Sequence, residues 1–109
     1  MSELTLKRCV PCEGGVPPLG RTETERLLAQ LSGWSLSGKW ISKEFQFKNF
    51  IEAMTFVNRV AELAEQEGHH PDIHIHYSRV RFDIWTHTIG GLSENDFILA
   101  AKVDMLRGL

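Results

Sequence analysis

A stripe of leucines predicts the first helix of the chain. Leu27, Leu28 and Leu31 fall on one face at helical spacing. Thr22 and Glu25 precede them at the spacing of a capping box, in which two side chains satisfy backbone N–H groups of the first turn. We therefore predict a helix whose N-cap is Thr22.

Two more helices follow from the same kind of pattern. Asn49 and Glu52 have the spacing of an N-cap and its third helical residue, and Gly68 suits the left-handed residue that often ends a helix. The apolar stripe between them consists of Phe50, Met54, Val57, Ala61 and Ala64. Ser93 and Asp96 form a second capping box ahead of a last helix. Its predicted inward residues are Phe97, Ile98, Ala101 and Met105.

Alternating apolar and polar positions predict four strands in two pairs. A short strand over 34–36 and a longer one over 40–47 flank the turn signal Ser37-Gly38. Beyond the second helix, a further pair of strands flanks Ser78-Arg79. Their apolar faces are Ile73, Ile75 and Tyr77 in one strand, and Val80, Phe82, Ile84 and Thr86 in the other. The short connections predict antiparallel hairpins rather than crossovers.

The order of elements is therefore α-β-β-α-β-β-α, which predicts an α+β fold. We expect a four-stranded antiparallel sheet with three helices packed on one face. Residues 1–21 are expected to form an N-terminal arm, and residues 22–109 a single domain. A sheet with open edges offers a route to self-association, so we expect a homodimer or homotetramer.

Composition and charge narrow the class of protein. The chain has 109 residues, with 12 Lys and Arg against 14 Asp and Glu. This slightly acidic balance lacks the basic excess typical of direct nucleic-acid binding. No apolar run approaches the roughly 20 residues that span a bilayer, and no signal peptide follows Met1. We expect a cytoplasmic protein without a membrane anchor.

Cys9 and Cys12 form a Cys-x-x-Cys pair in the arm. A structural zinc site needs four ligands, and no second such pair is present. A redox pair is expected at a helix start beside a βαβ unit, and neither follows here. The spacing favours a surface arm with two reduced thiols.

The histidines are the strongest sign of chemistry in the sequence. All five lie between His69 and His87. His69 and His70 lie in a loop held by Pro71, and His87 lies at the far end of the last predicted strand. An antiparallel hairpin places the start of one strand beside the end of the other, so His70 and His87 are expected to meet.

Two carboxylates are expected at the same edge. Glu65 lies one turn before the end of the second helix, and Asp96 lies in the first turn of the last helix. Imidazoles that titrate near neutral pH, with carboxylates beside them, suit general acid–base catalysis, such as proton transfer coupled to loss or addition of water. Structural roles stay open, with Asp96 as a helix cap and Glu65 as an exposed helix residue.

Two alternatives concern the remaining histidines and the tryptophans. His74 and His76 share a strand face and, with His69 or His70, would provide three zinc ligands. No spaced metal-binding motif such as HExxH is present, so we predict no metal. The tryptophans are expected to be core or interface anchors; they are Trp34, Trp40 and Trp85.

Several motifs follow one another in order along the chain: 65–71 (EQEGHHP), Tyr77, 85–87 (WTH), 91–96 (GLSEND) and 95–102 (NDFILAAK). This ordered set resembles the pterin-4a-carbinolamine dehydratase family, whose mark is a carboxylate, a His-His-Pro, a downstream Thr-His and then an aspartate. The similarity extends from about Thr22 to about Met105.

The resemblance implies loss of water from a 4a-hydroxytetrahydropterin to give the quinonoid dihydropterin, which recycles the cofactor of aromatic amino acid hydroxylases. It implies no metal or organic cofactor. The implied catalytic residues are His69, His70 and His87, and the implied substrate-binding residues are Glu65, Pro71 and Asp96. We hypothesise that His70 is the central acid or base. The alternative is a non-catalytic module that binds or assembles other proteins, or a transcription coactivator, because relatives of this fold have such roles.

Overall fold

The computed structural model describes residues 3–10 and 17–108, so Cys12 of the Cys-x-x-Cys pair lies outside the described residues. The helices and strands, in chain order, are α1 (Arg21–Leu28), β1 (Ser35–Ser37), β2 (Trp40–Gln46), α2 (Phe50–Glu67), β3 (Asp72–His76), β4 (Arg79–Ile84) and α3 (Glu94–Arg107). Two short 3₁₀ turns cover Glu3–Leu6 and His87–Ile89. No helix in the described parts of the chain is long and apolar enough to cross a membrane.

The four strands form one antiparallel sheet in the order β1-β2-β4-β3. Each predicted hairpin is present, and the two hairpins join where β2 pairs with β4, with Ile41 opposite Ile84 and Phe45 opposite Val80. These residues are buried on the face that the helices cover. The predicted α+β fold and its element order are confirmed.

The core lies between this sheet face and the helices. Phe45, Phe56 and Phe82 join β2, α2 and β4 through ring centroids that lie 5.2 to 5.9 Å apart. Helix α3 packs against α1, α2 and the first 3₁₀ turn, and is buried around most of its circumference. Leu4 of that turn is only 1% exposed, so the N-terminal segment contributes to the core.

The predicted cap of α1 is wrong. The N-cap is Gly20, whose backbone is extended, and Thr22 lies inside the helix without capping it. The carboxylate of Glu25 lies 3.6 Å from Nε of the Arg21 side chain, one turn earlier, instead of capping the helix. The helix also ends at Leu28, so Leu31 packs against the core from the following turn.

Both ends of α2 are as predicted, but its buried face is rotated. Asn49 Oδ1 accepts a hydrogen bond of 2.9 Å from Glu52 N, and Gly68 has φ 66. Phe50 is 45% exposed and Ala61 is also exposed. The residues that face the core are Ala53, Phe56, Val57, Val60 and Ala64. Because this helix has apolar residues on two sides, its sequence is compatible with two different buried faces. The face that contains Phe56 is the buried one, since Phe56 packs against Phe45 and Phe82 in the core.

The last helix begins at the predicted capping box, but Met105 does not face the core and is 50% exposed. Asp104 takes the buried position instead. Its carboxylate accepts from Trp34 Nε1 at 3.0 Å and from Lys43 Nζ at 2.8 Å. A buried ion pair therefore occupies the place where the apolar pattern predicted a methionine.

The second hairpin differs at both ends. Its turn is Tyr77-Ser78 rather than Ser78-Arg79, and Tyr77 adopts the left-handed conformation with φ 54. The strand β4 ends at Ile84, before His87. Thr86 continues only as an isolated antiparallel bridge to Gly91, and this bridge closes a loop that contains His87.

Candidate active site

Three histidines from two separate parts of the chain line one cleft of about 260 Å³. His69 and His70 come from the loop between α2 and β3, and His87 comes from the 3₁₀ turn after β4. The other residues of the lining are Gly68, Pro71, Asp72, Trp85, Thr86 and Thr88. The antiparallel pairing of β3 with β4 places these two loops side by side.

The His69-His70 loop follows directly from the way in which α2 ends. Gly68 adopts a left-handed conformation, which a residue with a side chain rarely adopts, and reverses the chain. His69 N then donates to Ala64 O at 3.2 Å, so the backbone of His69 stays attached to the last turn of the helix.

His69 lies against a fully buried carboxylate. Its Nε2 lies 2.6 Å from Asp96 Oδ1; the side chain of His69 is 12% exposed and that of Asp96 is 0% exposed. The other carboxylate oxygen accepts hydrogen bonds from Ser93 N at 2.8 Å and Thr86 Oγ1 at 2.9 Å. Asp96 therefore caps α3, as its spacing predicts, and also contacts the imidazole of His69.

His70 has a carboxylate partner in a more open setting. Its Nε2 lies 2.5 Å from Glu65 Oε2, and the two side chains are 59% and 77% exposed. Exposed ion pairs contribute little to stability because water and salt screen them. The contact therefore adds little stability, and it places the Glu65 carboxylate beside the imidazole at the mouth of the cleft.

His87 is exposed and lies beside an aromatic ring. The centroids of the His87 and Trp85 rings are 4.1 Å apart, and Trp85 Nε1 donates to Asp72 Oδ2 at 3.2 Å. Trp85 is half-buried; it packs against the core and also lines the cleft, whereas Trp34 is buried within the core. The sequence could have indicated that Trp85 lies on the same side of the chain as His87, because alternate residues of an extended segment point the same way. Thr86, between them, faces inward.

The other two histidines lie on β3 and do not line the cleft. His74 Nε2 lies 3.0 Å from Asp83 Oδ2, and Asp83 also accepts from Ser42 Oγ at 2.7 Å. Among residues 3–10 and 17–108, no group of three or more His, Cys, Asp or Glu side chains is placed to hold a metal ion.

Cys9 is half-buried against the end of α2. Its backbone N donates to Glu67 Oε1 at 2.9 Å, and its Sγ lies 3.5 Å from Asn95 O. Burial, followed by the nearby charge of Glu67, raises the pKa of the Cys9 thiol to about 12. The thiol is therefore protonated, and is not the activated nucleophile of a catalytic site.

A larger cavity of about 500 Å³ lies between the start of α1, the β1–β2 turn and the Gly90-Gly91 loop. Its charged lining residues are Arg21, Glu25 and Lys39, and its described lining contains no histidine. The smaller cleft has the proton-transfer groups, so we take it as the candidate active site.

Comparison with known proteins gives a consistent result. Residues 17–106 match the family model described as pterin 4 alpha carbinolamine dehydratase. The chain is 52% identical over 106 residues to a protein of Nitrosospira multiformis, with 97% of this chain and 94% of that protein covered. It is 56% identical over 105 residues to one of Nitrosomonas eutropha, with 95% and 93% covered. Both relatives are named, provisionally, as pterin-4-alpha-carbinolamine dehydratases.

Two solved structures share the fold. One is described as a transcriptional coactivator/pterin dehydratase from Brucella melitensis, with TM-score 0.77, 33% identity, and coverage of 82% of this chain and 97% of that one. The other is described as a pterin dehydratase-like protein that is a RuBisCO assembly factor in the alpha-carboxysome. Its TM-score is 0.61 at 29% identity, with coverage of 70% of this chain and 90% of that one.

Proposed function

This chain belongs to the pterin-4-alpha-carbinolamine dehydratase family, and from that premise we propose that it removes water from a 4a-hydroxytetrahydropterin to form the quinonoid dihydropterin. The observation that carries the proposal is the cleft lined by His69, His70 and His87. In that cleft two of the three imidazoles lie within 2.6 Å of a carboxylate oxygen. The physiological role that we propose is recycling of the pterin cofactor of aromatic amino acid hydroxylases.

The reaction needs one proton delivered and one removed. The C4a–O bond breaks with its electron pair on the oxygen, and an acid must protonate that oxygen so that it departs as water. A base must remove a proton from a ring nitrogen of the pterin, so that the electrons of that N–H bond form the new double bond. Imidazoles suit both steps, because their ordinary pKa lies close to the pH at which the reaction runs.

The surroundings of His69 and His70 differ, and they support different roles in the two proton transfers. When the Asp96 carboxylate is ionised, His69 donates its Nε2–H to it, and Nδ1 is left as the nitrogen that accepts a proton. His70 is 59% exposed, so it exchanges protons directly with solvent between turnovers. We propose that His70 is the central acid or base, that His69 is the fixed partner, and that His87 and Trp85 flank the flat heterocycle.

The test is stopped-flow measurement of dehydration with each histidine replaced in turn. We expect His69→Ala, His70→Ala and His87→Ala to lower kcat by about 100-fold or more, the usual range for loss of an acid or base. His74→Ala is the matched control, because His74 also pairs with a carboxylate but lies outside the cleft. We expect it to keep full activity. Rates at the uncatalysed level in the unmodified protein would refute the proposed function.

The second candidate function is protein assembly, which the similarity to the RuBisCO assembly factor favours. Such a role would use outer helix faces or sheet edges rather than the imidazoles. Capture of a stoichiometric protein partner, together with no dehydration activity, would favour this candidate over catalysis.

We also propose that the protein is a homo-oligomer, because β1 and β3 lie at the edges of the sheet and no other described strand pairs with their outer sides. Size-exclusion chromatography with light scattering tests this, and a monomer at micromolar concentration contradicts it.

A further inference from the structure

The N-terminal residues 7–10 lie across the junction between α2 and α3. On the α2 side, Arg8 Nη2 donates to Gln66 O at 3.2 Å, and Cys9 N donates to the Glu67 carboxylate at 2.9 Å. The segment is thus attached to the last two residues of α2, immediately ahead of the loop that carries His69.

The same segment is attached to the first turn of α3. Val10 N donates to Asn95 Oδ1 at 3.0 Å, and Asn95 Nδ2 donates to Val10 O at 2.5 Å. Asn95 is 4% exposed and directly precedes Asp96, the carboxylate that contacts His69. Asp96 therefore directly follows a residue that the N-terminal segment binds, and His69 lies two residues beyond another, Glu67.

Glu67 is the point where all three parts of the chain meet. Its Oε1 accepts from Cys9 N, and its Oε2 accepts from Lys102 Nζ of α3 at 2.7 Å. The Glu67 side chain is 6% exposed and that of Lys102 is 15% exposed. Burial raises the pKa of the Glu67 carboxyl, but the hydrogen bonds from Lys102 and Cys9 outweigh that effect, and the net pKa is lowered. The buried, charged side chain of Glu67 thus links α2 to α3 through an ion pair and to the N-terminal segment through a hydrogen bond.

We propose that Glu67 is a positioning residue for the His69–Asp96 pair, and that it acts by fixing the separation between the end of α2 and the first turns of α3. The importance of that separation rests on the proposed dehydratase function, but the positioning itself is a property of the free protein. A contact of 2.6 Å between the side chain of His69, just after the end of α2, and that of Asp96, in the first turn of α3, requires that the two helices keep their spacing to within a few tenths of an ångström. Polar groups that hold a functional side chain in this way typically contribute about 10- to 100-fold to activity.

A second ion pair between the N-terminal segment and α3 serves as a control. Lys7 Nζ and the Glu94 carboxylate also lie 2.7 Å apart, but both side chains are 45% exposed. Glu94 lies as close to Asp96 in the chain as Glu67 lies to His69. If loss of any charge near the site has an effect, replacing either Glu67 or Glu94 will produce it. If the effect arises from positioning through the buried ion pair, only replacement of Glu67 will produce it.

The experiment compares Glu67→Gln with Glu94→Gln by two measurements. The first is NMR of the His69 imidazole N–H proton, which the buried Asp96 carboxylate shelters from exchange. We expect this resonance to shift or broaden in Glu67→Gln and to stay unchanged in Glu94→Gln. The second is stopped-flow kinetics, where we expect kcat to fall about 10-fold in Glu67→Gln with KM changed less than about twofold.

A variant with both partners replaced guards against misfolding. Glu67→Met/Lys102→Met removes the ion pair without leaving a buried charge, a change that proteins often tolerate. We expect the His69 imidazole N–H resonance to shift or broaden in this variant as it does in Glu67→Gln. If Glu67→Gln and the double variant keep the His69 resonance and the wild-type kcat, the positioning role is overturned, even where the melting temperature has fallen. If the wild-type protein is inactive as a dehydratase, the proposed function fails, and the change in the His69 N–H resonance alone tests whether Glu67 positions the His69–Asp96 pair.

Discussion

Asp96 and His69 are joined by a contact of 2.6 Å that makes one carboxylate serve two purposes. The oxygen that faces away from His69 accepts from Ser93 N at 2.8 Å and caps α3. The proposed active site and the start of the central helix therefore share a side chain. The two roles can be separated, because an amide keeps the acceptor for the cap and loses the charge that the imidazole faces.

We expect Asp96→Asn to fold nearly as well as the wild type but to lose about 10- to 100-fold in kcat, because the imidazole of His69 is no longer held by a charged acceptor. Asp96→Ala also removes the cap, which typically costs about 0.5–2 kcal/mol of stability. Stopped-flow rates and thermal melting of the two variants check this. Full activity in Asp96→Asn would mean that the carboxylate only caps the helix.

Gly91 is expected to tolerate no side chain. A Cβ there would lie 2.8 and 2.9 Å from Cβ and Cγ of Pro18, and the proline ring cannot rotate away. We predict that Gly91→Ala lowers stability by about 1–3 kcal/mol, the usual cost of overpacking, and displaces the loop that carries His87.

Gly20→Ala is the control for that substitution: Gly20 has φ −73° and no described atom lies within 4 Å of an added Cβ, so this variant loses only the preference of an N-cap for glycine over alanine, at most about 1 kcal/mol. Denaturant unfolding of the two variants measures the difference. Equal stability of the two variants would show that Pro18 moves freely.

Removal of the Asp104 carboxylate is expected to be severe. Its loss leaves Lys43 Nζ without its buried counter-ion and Trp34 Nε1 without an acceptor. Breaking a buried ion pair from one side typically costs about 3–5 kcal/mol, and the side chains of Lys43 and Asp104 are each 12% exposed. Urea unfolding of Asp104→Ala measures this cost. Glu23→Ala, which removes an exposed partner of Arg26, is the control and is expected to leave the midpoint unchanged.

The thiol of Cys9 is expected to react slowly. Its pKa is raised from 9.0 to about 12 by burial and by the charge of Glu67, so almost no thiolate is present at pH 8. In a Cys12→Ser background, alkylation by iodoacetamide will be much slower for the folded protein than for the protein in denaturant. Equal rates would contradict the burial of this thiol.

The raised pKa also has a consequence for stability. The folded state holds the thiol proton more tightly than the unfolded state does. The protonated Cys9 thiol therefore makes its full contribution to the free energy of unfolding below pH 9, and that contribution is lost as the pH rises toward about 12. Cys9→Ser in that background should therefore show a smaller loss of stability over this alkaline range.

The fold could be predicted because local signals and topology agreed. The caps at Asn49 and Ser93 and the short hairpin connections fixed the order of elements, and that order leaves few packing arrangements. The loop that carries His87 could not be predicted, because its shape depends on the bridge from Thr86 to Gly91 and on the close contact of Gly91 with Pro18. Both are tertiary contacts that leave no periodic pattern in the sequence.

The candidate site shows the same division. Antiparallel pairing of β3 with β4 was enough to bring His70 and His87 toward one edge. Glu65 and Asp96 were expected at the same edge, but which imidazole each of them contacts could not be predicted, since no spacing relates His69 to Asp96. Glu67 gave no signal, because its role depends on Cys9 and Lys102, which are far away along the chain and adjacent only in the fold. The boundary between the arm and the domain stays a prediction.

The difference in exposure between the adjacent residues His69 and His70, 12% against 59%, gives the cleft an inner and an outer side. In the proposed reaction, His70 would exchange its proton directly with bulk water, so no chain of water molecules through the protein interior would be needed. Two neighbouring histidines thus differ in their surroundings: His69 is held against a buried carboxylate, whereas His70 is exposed to solvent.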